Sequence, residues 1–500
     1  MALATHRNSK VIVVGAGMAG LACAISLAAA GHRVLLLERS HAPGGKMRLV
    51  EADGAAMDGG PTVFTMRHVF QQLFARAGAR LEDHVRLKQA SILARHYWPG
   101  SDSLDLHADR EASAEAIRAF AGQREAEGFR RFCRDAGQIY DTLKGSFIAG
   151  QRPSPVELAW RVGRQNPAGM LRMKPFSTLW GALGSYFADI RLRQLFGRYA
   201  TYVGSSPFLA PATLMLIAHV EQEGVWLVDG GMHALALALA GLAEQMGVEI
   251  RYGAEVSRIE RSGGRFAVAY GTGDVDTASD VVWCGDVSAL ASGIASGLPR
   301  AIRPVTGRNR SLSAIVWAMR ATASGRPLAR HTVLFSDDYP AEFDAILGRR
   351  QVPQKPTVYL CAHDRDDGGA RDGEGPERLY LLVNAPADGD LGSFAESGMH
   401  QCLENTWQQL ERCGLSLAPH GAITETGPRE WNTLFPATGG ALYGRASHGW
   451  TASFARPGAR TGLPGLYLAG GSVHPGAGVP MAAMSGILAA ECLLRDHPST

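Results

Sequence analysis

The chain has 500 residues, enough for two or three subdomains rather than one simple core. Its formal charge is only +3, from 50 Lys and Arg against 47 Asp and Glu, which gives no reason to expect a nucleic-acid partner. Seven scattered cysteines without a CxxC pair, and sixteen histidines without an HExxH run, argue for reduced thiols and against both a disulfide framework and a metal site.

The first element is the most familiar. Residues 11–31 carry no charge and could pass for a signal peptide or a spanning helix, but glycines at fixed offsets belong to a strand–turn–helix. Lys10–Val14 reads as a buried parallel strand, and Gly15, Gly17 and Gly20 follow as GxGxxG. A helix is expected over Leu21–Ala30, then a strand over Val34–Leu37 closed by Glu38. Gly15 permits the tight turn, Gly17 lets the backbone reach a pyrophosphate, and Gly20 lets helix and strand pack. The helix N-terminus favours an anion, and Glu38 suits a ribose diol.

Two more glycine turns follow, Pro43-Gly44-Gly45-Lys46-Met47-Arg48 and Asp58-Gly59-Gly60-Pro61-Thr62. A plain NAD domain needs neither. They suit a longer ligand carrying an isoalloxazine, with Lys46 or Arg48 offsetting phosphate charge. Residues 111–220 read as mainly helical, with arginines and aromatics interleaved, as in Phe129–Phe132, Trp160-Arg161 and Met170–Phe176. Such amphipathic basic stretches can lie on a membrane surface. Phe208–Ala218 is the longest other apolar run and is too short to span a bilayer.

Trp226–Met232 forms a further Asp-Gly-Gly turn before a helix over His233–Met246. Strands over Ala254–Ile259 and Val281–Cys284 are expected to complete the nucleotide sheet, with Val256 offering backbone groups to an adenine. Residues 300–455 mix strand and helix signals, and Asp364–Glu377 reads as a surface loop. Gly465–Pro480 is a short apolar strand running into a turn almost free of bulky side chains, where Gly470, Gly471, Gly476 and Gly478 allow a flat ligand to approach the backbone.

Taken together, these motifs resemble the phytoene-desaturase-type carotenoid desaturases nearly end to end. The more specific stretches are Asp58–Val63, Tyr202–Phe208, Gly224–Trp226 with Asp229–Met232, and above all Gly465–Pro480. Within that family the chain is most similar to the 1-hydroxycarotenoid 3,4-desaturases, through Thr62–Met66, Pro436–Gly444, and Gly471–Pro475 with Pro480-Met481. Lys46 stands where the wider family often has Arg.

The resemblance implies an α/β fold: a Rossmann-like FAD-binding domain (1–80, 225–290 and 455–500), a discontinuous mixed-sheet substrate domain (81–110 and 291–454), and a helical, membrane-facing region (111–224). It implies FAD held by Gly15, Gly17, Gly20, Glu38, Gly45, Lys46, Arg48, Gly60, Pro61, Thr62, Val256, Gly470, Gly471, Ser472, Pro480 and Met481. A lipophilic carotenoid would be the substrate, met by peripheral binding on the cytoplasmic side of the inner photosynthetic membrane, without a signal peptide or transmembrane helix. His474 and Arg456 are the candidates for a catalytic role. The electron acceptor stays open among oxygen, a quinone and a membrane redox chain. The competing readings are a phytoene desaturase of the same family, an amine-oxidase-like flavin oxidase, and a lipid-chaperoning protein without flavin.

Overall fold

A computed structural model describes residues 9–497, apart from 101, 166–175, 294–303, 372 and 393–395. The expected amphipathic stretch Met170–Phe176 therefore lies outside the described residues except for Phe176.

Lys10–Val14 and Arg33–Leu37 are Val/Ile/Leu-rich and buried on both faces, as central parallel strands must be. They form a five-stranded parallel sheet in the order Leu466–Leu468, Asp280–Trp283, Lys10–Val14, Arg33–Leu37, Glu249–Arg251. Helix Met18–Ala29 crosses between the first two strands in sequence, as a parallel connection requires. The C-terminal helix Val479–Asp496 packs against it so closely that a Cβ on Gly486 would overlap the carbonyl oxygen of Ala19. The strand ends that carry Gly15, Glu38, Cys284 and Gly470 all lie on the carboxyl edge of this sheet, where open α/β sheets bind ligands.

The segment around Val256 departs from expectation. Val256–Ser262 pairs antiparallel with Arg265–Tyr270, which pairs with Asp274–Ala278, giving a separate three-stranded sheet. The parallel sheet is completed by Asp280–Trp283, as expected, and by Glu249–Arg251 in place of the Val256 strand. The inner faces of the two sheets share one core that includes Val14, Leu37, Val256, Ile259 and Trp283.

A seven-stranded mixed sheet forms the second layer, in the order Leu415–Thr426, Ser313–Gly325, Glu377–Ala385, Val358–Ala362, His331–Leu334, Ile92–Tyr97, Leu104–His107. Helices Arg110–Ala121, Gln123–Leu143, Pro155–Gln165, Ile190–Gly197 and Leu216–Gln222 build the region beside it. Their core is strongly aromatic, with Phe129, Phe132, Phe187 and Phe196 in ring contact at 4.7–5.7 Å. The loop after Val358–Ala362 is pinned rather than loose. Arg365 pairs with the buried Glu377 (2.6 Å), Arg378 pairs with Asp364 (2.6 Å), and Asp367 accepts from the Ser91 N–H (2.6 Å).

Candidate functional site

The turn Gly15–Gly17 sits between strand and helix with two distinct demands. Gly15 has φ +102°, which an L side chain resists, and its N–H donates to Leu37 O (2.7 Å). A Cβ on Gly20 would overlap Gly15 O, so this glycine serves packing. Gly17 is different: a Cβ there would meet nothing within 4 Å. It faces open space at the N-terminus of helix Met18–Ala29, where unpaired N–H groups gather.

Glu38 is buried, and its carboxylate ties the turn together. One oxygen accepts from Ala16 N–H (2.6 Å), the other from Ser40 N–H (2.8 Å). Each oxygen keeps a lone-pair direction for a further donor. Beside it, Ala254 N–H donates to Glu38 O (2.8 Å), and buried Val256 follows on the adjoining sheet.

The second turn docks on the first through Gly44 N–H to Ala16 O (2.8 Å), bringing Gly45 against Gly17. Lys46 and Arg48 then run into the interior. Lys46 donates to Leu442 O and lies 5.1 Å from the Phe435 ring; Arg48 lies 5.5 Å from the Trp431 ring. Burial lowers the pKa of both, and for Lys46 the Asp286 carboxylate opposes the shift. Neither forms an ion pair among the described residues, and Arg48 Nη1 is buried with no partner. Two half-buried cations with no ion pair among the described residues, Lys46 directly following Gly45, fit an anionic group such as a pyrophosphate.

Asp58 has a structural task. Its carboxylate accepts from Met232 N–H (2.7 Å) and His233 N–H (3.0 Å), capping helix Met232–Gln245, while His233 Nδ1 bonds Met47 O (2.7 Å). Burial raises the Asp58 pKa against those bonds. Gly60 lies against Lys46 O with no room for a Cβ, and Pro61 and Thr62 continue inward, half-buried.

The returning turn closes the cradle. Gly470 has φ +128° and donates to Ser485 Oγ (3.1 Å); Gly471, Gly476 and Gly478 would each place a Cβ no closer than 3.8 Å to any other atom. Ser472 Oγ accepts from Val287 N–H (3.2 Å). Pro480 is buried and Met481 half-buried in the first turn of helix Val479–Asp496.

Arg456 is almost wholly buried and braces this turn, donating to Gly471 O (2.7 Å) and Arg445 O (2.8 Å); burial brings its pKa down to about 10. His474 donates Nε2–H to Gly150 O (3.0 Å) and lies edge-on to Phe147 at 4.8 Å. Burial lowers its pKa to about 4, so it is neutral near pH 7, with Nδ1 buried and unpartnered.

The structure also brings together residues that no local signal marks. Asp286, the N-cap of helix Val287–Ala291, lies near enough to Lys46 and Arg456 for its carboxylate to raise the pKa of both. From Thr62 a polar chain runs inward: Thr62 Oγ1 to Tyr359 OH (2.5 Å), and Tyr359 OH to His331 Nδ1 (2.7 Å). Arg198 lies over the rings of Tyr359 and Tyr202 at 5.4 and 5.3 Å. Tyr202 stands in a stretch singled out from sequence; Arg198 and His331 do not.

Residues 18–494 match the flavin containing amine oxidoreductases, and the chain belongs to that family. It is 51% identical to the hydroxyneurosporene desaturase of Rubrivivax gelatinosus, over 99% of this chain and 95% of that one. To the enzyme of the same name from Cereibacter sphaeroides it is 46% identical, over 98% of both chains. A solved wild-type putrescine oxidase bound to putrescine shares the fold, with a TM-score of 0.60 at 14% identity over 99% of each chain. The branch is thus that of the carotenoid desaturases, and FAD is the cofactor.

Proposed function

We propose that this chain desaturates the C3–C4 bond of an acyclic 1-hydroxy- or 1-methoxycarotenoid. The observation that carries this reading is whole-length identity of 44–51% to hydroxyneurosporene desaturases, on a chain whose flavin cradle is intact.

When bound, FAD supplies a hydride acceptor. In this reading the chain's residues divide the remaining work. Gly15, Gly17, Gly20, Glu38 and Val256 hold the adenosine end, and Gly45, Lys46 and Arg48 the pyrophosphate. Gly60, Pro61, Thr62, Gly470, Gly471, Ser472, Pro480 and Met481 hold the isoalloxazine end. Val63, Met481 and Met484, half-buried against the aromatic helical core, exclude water and align the polyene. Hydride loss beside a conjugated system leaves a delocalised cation, so the vicinal proton needs no strong base. We assign Arg456 and His474 to holding the return turn in shape, consistent with their backbone partners.

The three-part division of the chain follows from the same reading. Cofactor binding falls to 1–80, 225–290 and 455–500, substrate binding to 81–110 and 291–454, and membrane contact to 111–224. No helix among the described residues is long and apolar enough to cross a bilayer. Val156, Trp160, Phe176, Ile190, Leu209 and Trp450 are exposed, however, and Phe176 and Trp450 meet at 5.8 Å. Beside Leu209 opens a cleft of about 430 Å³ walled in part by Phe208, Phe343, Ile346 and Leu347. This arrangement suits peripheral docking on the cytoplasmic face of the membrane and substrate access from lipid.

The deciding experiment offers 1-hydroxyneurosporene, neurosporene and phytoene separately to membranes containing the protein and follows the polyene absorption. A red shift with the hydroxylated substrate is expected. Conversion of phytoene alone overturns the assignment, and peroxide release from an amine would move the enzyme to the amine oxidases.

A further inference from the structure

The interior next to Thr62 is more polar than a hydrocarbon substrate requires. Arg198 is the centre of it. Its guanidinium has five N–H donors, yet among the described residues its side chain donates only to Tyr202 OH (3.2 Å), and no carboxylate pairs with it. The buried acids that feel its charge are already bonded: Glu221 accepts from the hydroxyls of Tyr199 and Tyr202 (3.1 Å for Tyr202), and Glu342 accepts from Thr357 (2.7 Å to its hydroxyl). The two rings under Arg198 belong to Tyr202 and Tyr359, which is bonded in turn to Thr62 and His331. His331 is 3% exposed, and its Nε2 is buried with no partner.

Arg198, Tyr202 and Tyr359 are half-buried and each keeps accessible surface; burial raises the pKa of both tyrosines, and at Arg198 burial is outweighed by the surrounding tyrosines, which raise it. A half-buried cation whose side chain has one hydrogen-bond partner is costly unless a neighbouring group answers it.

We infer that Arg198, with Tyr202, Tyr359 and Thr62, binds the oxygen at the terminus of the polyene and sets the preference for an oxygenated end over a hydrocarbon one. The inference rests on the desaturase reading above and goes further, because it names the residues that select the substrate. The placement is chemically apt. The C1 oxygen is two carbons from C3, so its binding site must adjoin the flavin, and Thr62 belongs both to the Gly60–Thr62 turn and to this cluster. Arginine only donates, so it serves a hydroxyl and a methoxyl oxygen alike, whereas a hydrocarbon end leaves it unanswered. The hydroxyls of Tyr202, Tyr359 and Thr62 can also accept, which favours the free hydroxyl.

The test compares wild type, Arg198→Met and Tyr202→Phe as flavin-loaded holoenzymes on 1-hydroxyneurosporene, 1-methoxyneurosporene and neurosporene. Arg198→Met is expected to lower kcat/KM on both oxygenated substrates by about 10- to 100-fold and leave neurosporene unchanged or improved. Most of the loss should appear in KM. The same order should appear in dissociation constants read from the polyene band shift on chemically reduced enzyme, which cannot turn over. Tyr202→Phe keeps the cation and should show the same selectivity at roughly threefold to tenfold. It decides the matter if Arg198→Met fails to retain flavin. Equal losses on all three substrates in a flavin-replete variant overturn the inference while leaving the desaturase reading intact. Wild-type enzyme that converts neither oxygenated substrate overturns both.

Discussion

Gly17 and Gly20 stand three residues apart in one motif and are constrained by different neighbours. The space beside Gly17 is open and its φ of −71° suits any residue, so Gly17→Ala should fold normally. Its methyl group would point into the cofactor's space, and FAD affinity should fall roughly tenfold or more with the apoprotein's unfolding midpoint unchanged. Gly20→Ala drives a methyl group into Gly15 O and should cost about 3 kcal/mol or more. Flavin titration and urea denaturation of the two apoproteins separate these outcomes. Equal stability of the two variants would remove the distinction. At His96 the residue scale sets a pH dependence. This histidine is buried between Trp98 and Phe335, with Nδ1 on Leu104 O (3.0 Å), and burial lowers its pKa to about 4. Above about pH 6.5 neither state holds the extra proton and the stability is complete. As the pH falls toward 4, the unfolded chain takes a proton that the core refuses, and stability is lost. By pH 5 the loss is about 2 kcal/mol. His96→Phe keeps the stack and should lose that much less between pH 7.5 and 5 in paired denaturant titrations; parallel curves would contradict it.

Individual elements are joined by single polar groups, and Asp58 is the clearest case. It caps the first turn of helix Met232–Gln245 from the end of strand Ala55–Asp58, 174 residues earlier. Asp58→Ala should cost roughly 1–2 kcal/mol, and Asp58→Asn less, since the amide oxygen still accepts. Denaturation midpoints measure this, and an unchanged Asp58→Ala midpoint would count against the cap. At this scale the limits of reading the chain are visible. The nucleotide end is legible because its signals are local: an apolar strand, three spaced glycines, a second strand and an acid within thirty residues. Even there the helix begins at Met18, not Leu21, because Gly20 lies inside it and serves packing. The strand at Val256 was recognisable, but alternation along one strand does not say which sheet it joins, and it pairs with Tyr270 rather than with the parallel sheet. The Thr62–Tyr359–His331 chain was not legible, since Thr62 and Tyr359 meet across 297 residues and no local pattern encodes such a pairing.

The whole molecule must take a lipid-soluble substrate to a flavin while exposing little apolar surface elsewhere. Its exposed large apolar side chains are therefore informative where they gather. Phe176, 83% exposed, and Trp450, 47% exposed, belong to segments 274 residues apart yet lie in ring contact. The backbone holds Trp450 beside Leu209, through Gly449 N–H to Leu209 O (2.8 Å), and Leu209 lines the neighbouring cleft. An interfacial aromatic pair at the mouth of a cleft would seat that opening in the headgroup layer, where aromatic rings partition well. Replacing each by Glu removes roughly 1.5–3 kcal/mol of burial and adds a charge that anionic lipid repels. Phe176→Glu with Trp450→Glu should therefore reduce co-sedimentation with vesicles containing anionic lipid by tenfold or more. Both rings sit outside the core, so flavin content and unfolding midpoint should stay at the wild-type level. Activity should then split by delivery: lost on substrate in vesicles, retained on the same substrate in detergent micelles. If the double variant still sediments like wild type, this pair does not seat the cleft in a membrane, and Val156 and Trp160 are the next exposed pair to change.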